Sequence, residues 1–107
     1  MFGLFNKNKG YENLTVAQFK EQIASTKDAV ILDVRTDAEF RAGAIPKAKK
    51  LDFSGGEFGQ KVAELDRDKT YFVYCRSGAR SAAACSQMAR LGFLKVYNLQ
   101  GGYMSWK

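Results

Sequence analysis

The densest run of chemistry-bearing residues in the sequence is Cys75-Arg76-Ser77-Gly78-Ala79-Arg80-Ser81. It stands between an apolar run, Tyr71-Phe72-Val73-Tyr74, and an alanine-rich stretch that favours helix. In a strand-to-helix turn successive backbone N–H groups point inward and the helix N-terminus adds about half a positive charge, so an anion is favoured there. For a cysteine at the head of the turn that anion is its own thiolate, because helix N-termini and nearby arginines depress thiol ionisation. Cys75 is therefore expected to be a nucleophile that needs no histidine base. Gly78 supplies the backbone freedom of a tight ring, and Arg76 and Arg80 present planar forks that match a sulfonate, phosphate or carboxylate. The plainer alternative is an inert cysteine at a buried strand end with solvated arginines around it. Two arginines and a glycine inside one strand–loop–helix junction argue against that.

The rest of the composition narrows the chemistry. The chain has 107 residues and no histidine, which excludes Ser-His-Asp and Cys-His catalysis and every His-ligated metal site. Two cysteines, Cys75 and Cys85, are too few for a disulfide scaffold and lack the spacing of a zinc site, so no metal is expected. A reducing compartment follows, and the absence of a signal-like or membrane-length apolar stretch predicts a soluble, cytoplasmic protein with no membrane partner. The net charge of +6 suits a surface that steers small anions. No nucleic-acid motif accompanies that charge, and the aromatics fall at core positions, so no nucleic acid is expected as partner.

The elements that must position Cys75 follow from pattern. Residues 1–10 read as a flexible basic tail and 11–107 as one domain. Thr15 and Gln18 form a capping box over a helix carrying Val16, Phe19 and Ile23 and ending near Ser25. Ala29 to Val34 is a continuous apolar run of strand length, as for a strand buried on both faces, and its downstream end delivers Asp33 and Arg35. Thr36 and Glu39 cap a short helix that Gly43 and Pro46 stop. Leu51 and Phe53 suggest a short strand, Ser54-Gly55-Gly56 a turn, and Phe58, Val62 and Leu65 a further helix. Tyr71–Tyr74 is the clearest strand. Ser81–Leu91 reads as a helix, Lys95–Leu99 as the last strand, Gly101-Gly102 as a turn and Tyr103–Trp106 as a docking helix. Strands alternating with helices predict an α/β fold with a parallel sheet covered on both faces. Cys85 shares one helix face with Ser81, Ala84, Met88 and Leu91, which makes it a small core residue; its functional alternative is a resolving thiol for Cys75.

Several of these stretches together resemble the single-domain rhodanese family of sulfurtransferases. They are Ile31-Leu32-Asp33-Val34-Arg35, Glu39-Phe40, Gly43-Ala44-Ile45-Pro46, Tyr74 through Ser81, Gly92-Phe93, and Val96 through Gly102 to Trp106. The resemblance implies a three-layer rhodanese-like fold with a central, mostly parallel sheet, and a cysteine that accepts sulfane sulfur from thiosulfate or a persulfide donor. Carried over residue by residue, Cys75 is the nucleophile. The loop of Arg76, Ser77, Gly78, Ala79 and Arg80 cradles the persulfide, with Asp33, Arg35, Glu39 and Ser81 as supporting residues. Where the family commonly has Gly-His-Ile-Pro-Gly-Ala this chain reads Gly43-Ala44-Ile45-Pro46-Lys47-Ala48. Lys47, Lys49 and Lys50 bring positive charge either near the site or along a solvated edge.

The implied reaction is a double displacement through a Cys75 persulfide, with no cofactor. Its acceptor would be cyanide, or a thiol such as glutathione, thioredoxin or a sulfur-relay protein. Two other readings stay open on sequence grounds. One is a sulfur-carrier or partner-binding module without turnover. The other is a cysteine phosphatase or arsenate reductase, whose loop reads Cys-x5-Arg, whereas here Arg80 follows Cys75 after four residues and Ser81 holds the fifth-spaced position.

Overall fold

The computed structural model describes residues 10–107. Apart from Gly10, the segment expected to be a tail lies outside the described residues. Eleven short elements alternate along the chain: β1 (Glu12–Leu14), α1 (Val16–Ser25), β2 (Ala29–Asp33), α2 (Asp37–Ala42), β3 (Lys49–Lys50), a 3-10 turn at Phe53–Gly55, α3 (Phe58–Ala63), β4 (Thr70–Tyr74), α4 (Ala79–Arg90), β5 (Val96–Leu99) and α5 (Gly102–Trp106). The five strands form one sheet in the order β1-β5-β4-β2-β3, and every pairing is parallel.

β4 lies at the centre of that sheet and all five of its residues are buried. Its alternating side chains supply two separate cores, as the two-residue period of a strand requires. Tyr71, Val73 and Cys75 face one layer with Phe58, Val62, Ala84, Cys85 and Met88 of α3 and α4. Phe72 and Tyr74 face the other, with Phe19 of α1 and the half-buried Tyr103 and Trp106 of α5. Edge-to-face aromatic pairs lock this second layer, with Phe19 centred 5.5 Å from Phe72 and 6.3 Å from Trp106. The result is the three-layer α/β arrangement expected from the alternation of elements.

Three local expectations are corrected, and one strand is added that the sequence pattern did not reveal. The strand expected around Leu51 and Phe53 lies instead at Lys49–Lys50, paired with Leu32 and Asp33, because Asp52 turns the chain by accepting from the Ser54 N–H. Lys50 on that edge is tied to Asp37 at 2.7 Å. β1 has only three residues, too few for periodicity to reveal it, and gains its order by pairing with β5 from the far end of the chain. α4 begins at Ala79, two residues before the expected start, with Gly78 as its left-handed N-cap. Gly102 is also the first residue of α5, and both Gly101 (φ 82°) and Gly102 (φ 64°) carry left-handed φ at the turn.

Both capping boxes are present, over α1 and α2. Thr36 and Glu39 close the second, and Asp33 and Arg35 occupy the junction between β2 and that helix. Asp33 is fully buried and accepts from the backbone N–H of Arg35, its guanidinium and the Tyr74 hydroxyl. The same Tyr74 oxygen accepts from the Ile45 N–H at 3.1 Å. Burial and the bond to Asp33 push the Tyr74 phenol well above its ordinary range, so it stays a donor. Tyr74→Phe removes one donor from a buried carboxylate and the acceptor of a buried N–H. The expected loss is about 2–4 kcal/mol of stability, read from urea unfolding midpoints, and a neutral variant would show that water replaces both bonds.

Candidate active site

Cys75 follows β4 directly, at the carboxyl end of the central strand, where binding groups of parallel sheets collect. The chain then turns through Arg76 and Ser77 to Gly78 at φ 106° and enters α4. That turn bends the backbone around the sulfur. Cys75 Sγ accepts from the Gly78 N–H at 3.1 Å, the Ser81 N–H at 3.4 Å and the Ser81 hydroxyl at 3.3 Å. The glycine is required by its left-handed φ, since a side chain there would be strained.

Cys75 is 1% exposed. Burial alone would push its thiol up, yet the Ser81 hydroxyl and the backbone N–H groups of Ser81, Gly78 and Ser77 more than offset that and hold it below its ordinary value. The thiolate is thus stabilised chiefly by oriented dipoles rather than by a contacting cation. Cys85 has the opposite environment: burial, with the Cys75 charge adding to it, pushes its thiol well up. It packs in the core with Ala84 and Met88, as its helix-face spacing predicts.

The expected arginines divide between two tasks. The Arg80 fork grips Glu39 through Nη1–Oε1 at 2.8 Å and Nη2–Oε2 at 3.0 Å. Arg80 holds the Glu39 carboxyl down to about 2 against the effect of burial, with the Thr36 N–H helping. Glu39 therefore caps α2 and clamps α4 with the same carboxylate. Arg76 is exposed and has no ion-pair partner among the described residues. Ser77 and Ala79 are exposed on the loop's outer side, and Ser81 is buried beneath it.

Asp33 and Arg35 support the loop from the neighbouring strand. Arg35 Nη2 bonds Asp33 at 2.6 Å and the Gly43 carbonyl at 2.6 Å, and its guanidinium lies 4.5 Å from the centre of the Tyr103 ring. Tyr103 carries the contact onward, since its N–H donates to the Cys75 carbonyl at 2.8 Å, while the Met104 N–H donates to the Arg76 carbonyl at 3.1 Å. The first turn of α5 therefore satisfies the carbonyls of the loop while the loop's own N–H groups face the sulfur. Gly102 makes this approach possible: a Cβ there would overlap the carbonyls of both Cys75 and Arg76.

Sequence reasoning named the loop, Asp33, Arg35, Glu39 and Ser81, and the structure brings all of them to one end of the sheet. It missed Tyr74, Gly102 and Tyr103. Tyr74 reads as an ordinary strand aromatic, and Gly102 as a turn residue, until the partners of their polar groups are visible. Among the described residues, no group of three or more Cys, Asp or Glu is placed to hold a metal ion, and no helix is long and apolar enough to cross a membrane.

Ser81→Ala removes the one side-chain donor to Sγ among the described residues. The Cys75 thiol then moves upward, and alkylation by iodoacetamide at pH 7 slows about tenfold relative to its high-pH plateau. An unmoved pH profile would show that the N–H groups suffice. Glu39 is depressed, so its stabilisation is present above the ordinary carboxyl range near pH 4.5 and is lost only as pH falls towards about 2. Glu39→Gln is expected to cost about 1–2 kcal/mol at pH 7 and to remove that acid-range slope from thermal melts; retention of the slope would assign it elsewhere.

The comparisons agree with this geometry. The model of the rhodanese-like domain matches residues 15–107. A sulfurtransferase of Allochromatium vinosum is 37% identical over 86 residues, covering 80% of this chain and 78% of that protein. The putative sulfurtransferase YtwF of Bacillus subtilis is 36% identical over 96 residues, covering 90% of each. The crystal structure of a rhodanese-like domain protein from Staphylococcus aureus superposes with a TM-score of 0.79 at 27% identity, over 90% of this chain and 91% of that one. Sequence relatives, sheet topology and the ring of donors around a strand-end cysteine thus converge, and the chain belongs to the rhodanese-like domain family.

Proposed function

We propose that this protein is a sulfurtransferase in which Cys75 takes a sulfane sulfur from thiosulfate or a persulfide donor and passes it to a thiol or cyanide. The observation that carries the reading is the set of three donors within 3.4 Å of Cys75 Sγ, in a loop with no carboxylate turned toward the sulfur. The Cys75 thiolate attacks the outer sulfur of thiosulfate. A bond forms between Sγ and that sulfur, the original S–S bond breaks, and its electron pair leaves on sulfite. The resulting persulfide keeps its negative charge against the same N–H groups, so one preorganised set of dipoles serves thiolate and persulfide alike. A second nucleophile then attacks the outer sulfur and returns the electron pair to Sγ. No metal or organic cofactor enters either half.

The competing hydrolytic reading fares less well on this geometry. Phosphate ester hydrolysis requires a general acid beside the leaving group. Asp33 spends its acceptor capacity on Arg35 and Tyr74, and Glu39 is clamped by Arg80. Neither carboxylate is offered to a substrate.

Intact-protein mass spectrometry tests the proposal. After incubation with thiosulfate, the protein should gain an adduct of about 32 Da that dithiothreitol removes, unlike the irreversible sulfinic acid of similar mass. Cys75→Ser should abolish the adduct and Cys85→Ser should keep it. An adduct that persists in Cys75→Ser, or a protein left uncharged by thiosulfate and polysulfide alike, would overturn the reading.

A further inference from the structure

The end of the sheet opposite Cys75 carries a cavity of about 440 Å³, bounded by the turn between α1 and β2, the amino end of β2 and Lys49 of β3. Ile23, Ile31 and Lys47 line it and also line a second, apolar hollow of about 260 Å³, which continues past Ile45 and Pro46 to Trp106 at the end of α5. Three shared residues make the two one groove. No residue of the Cys75 loop belongs to its walls.

Positive charge collects along this groove. Lys47, Lys49 and Lys69 line the wider part against a single carboxylate, Asp28, and Lys20 stands over the apolar part with its ammonium 4.7 Å from the centre of the Trp106 ring. None of these four lysines has an ion-pair partner among the described residues, whereas Lys50 nearby in sequence is tied to Asp37. Lys47 is exposed and holds a left-handed φ of 71°, a conformation that glycine adopts without strain, so a cation is kept at this rim against backbone preference.

The floor between the lysines is apolar and recessed, with Ile31 7% and Ile45 3% exposed. The exposed large hydrophobics among the described residues, Leu94 and Met104, lie outside the groove. A flat lipid surface does not reach such a floor, but a side chain projecting from a partner does. An apolar floor inside a charged rim is the anatomy of a protein interface, and the sign of the rim fixes the sign of what it accepts.

We infer that this groove docks an acidic segment of a partner protein, which lays an aliphatic or aromatic side chain over Ile45, Pro46 and Trp106 and sets its carboxylates against Lys47, Lys49 and Lys69. The docking site is separate from the sulfur chemistry and does not depend on it, because the groove and the Cys75 loop lie at opposite ends of the sheet.

The chain has one tryptophan and it lines the groove, so its emission reports occupancy directly. Random dodecapeptides displayed on phage are selected against the full chain at low ionic strength, and enriched peptides lacking tryptophan are synthesised and titrated. They should carry net negative charge and at least one large apolar side chain, shift the Trp106 emission to shorter wavelength, and release as salt is added. Lys47→Gly removes one charge while relieving the left-handed φ, so the fold is kept; binding should weaken about threefold, and by at least about tenfold in Lys47→Glu combined with Lys49→Glu. Thiosulfate should load Cys75 equally in all these variants. No enrichment, enriched peptides without acidic character, a Trp106 emission that binding leaves unmoved, or affinities that both variants leave unchanged would overturn the inference. So would an emission that shifts with protein concentration alone, which assigns the groove to a second copy of the chain, or binding confined to phosphatidylglycerol vesicles, which assigns it to a membrane.

Discussion

A sulfur that is 1% exposed and held toward its anionic form must be solvated by the protein, and here the solvent is two backbone N–H groups and one hydroxyl. Three donors reach Cys75 Sγ from Gly78 and Ser81, and they can do so only because the chain leaves a buried strand, closes a ring within three residues and enters a helix. Everything else at this end of the sheet keeps that ring in shape. Glu39 clamps its far side through Arg80, Asn98 of β5 approaches the Gly78 carbonyl from beneath at 3.4 Å, and α5 takes the Cys75 and Arg76 carbonyls. The Arg76–Ser77 peptide serves both sides, its carbonyl bonded to α5 and its N–H favouring the anionic form of the sulfur, so the docking of α5 and the polarity of the site are linked.

The charged residues contribute at one remove. Asp33 and Arg35 form a buried pair that would be costly if either partner were alone, but the Tyr74 hydroxyl and the Gly43 carbonyl complete their hydrogen bonding. The pair ties β2 to the start of the Gly43–Ile45 segment and presents a flat guanidinium on which Tyr103 rests. Position is thereby passed from one strand to the loop of the next through an ion pair, a ring and two main-chain bonds. The Cys75 sulfur itself meets no charged side chain in these contacts.

Much of this was legible in the chain because the relevant signals are local. Cys75 to Ser81 lie in one short segment between an apolar run and an alanine-rich one. Both capping boxes are four-residue patterns whose geometry leaves little choice. Cys85 is placed in the core by its spacing alone. What escaped reading depends on partners far apart in sequence. β1 is three residues long and exists only because β5 accepts it. The strand near Leu51 lies two residues earlier because Lys49 and Lys50 meet the register of β2, which hydropathy does not encode. Gly102 is a turn residue by type, and its requirement appears only when the carbonyls of Cys75 and Arg76 are seen packed against it. Arg80 offers a fork to any anion in sequence, and the fold has already supplied one in Glu39.

The environment of Cys85 has a consequence for the protein's life under oxidative stress. A thiol fully buried and held protonated has neither the access nor the ionisation to trap a damaged partner. If Cys75 is oxidised to a sulfenic acid, Cys85, buried and with its thiol pushed well up, is a poor nucleophile for closing an internal disulfide although it packs in the same core cluster. Repair must come from a thiol outside the chain, arriving before a second oxidation makes the loss permanent. The donors that hold the Cys75 thiol down have no counterpart around Cys85.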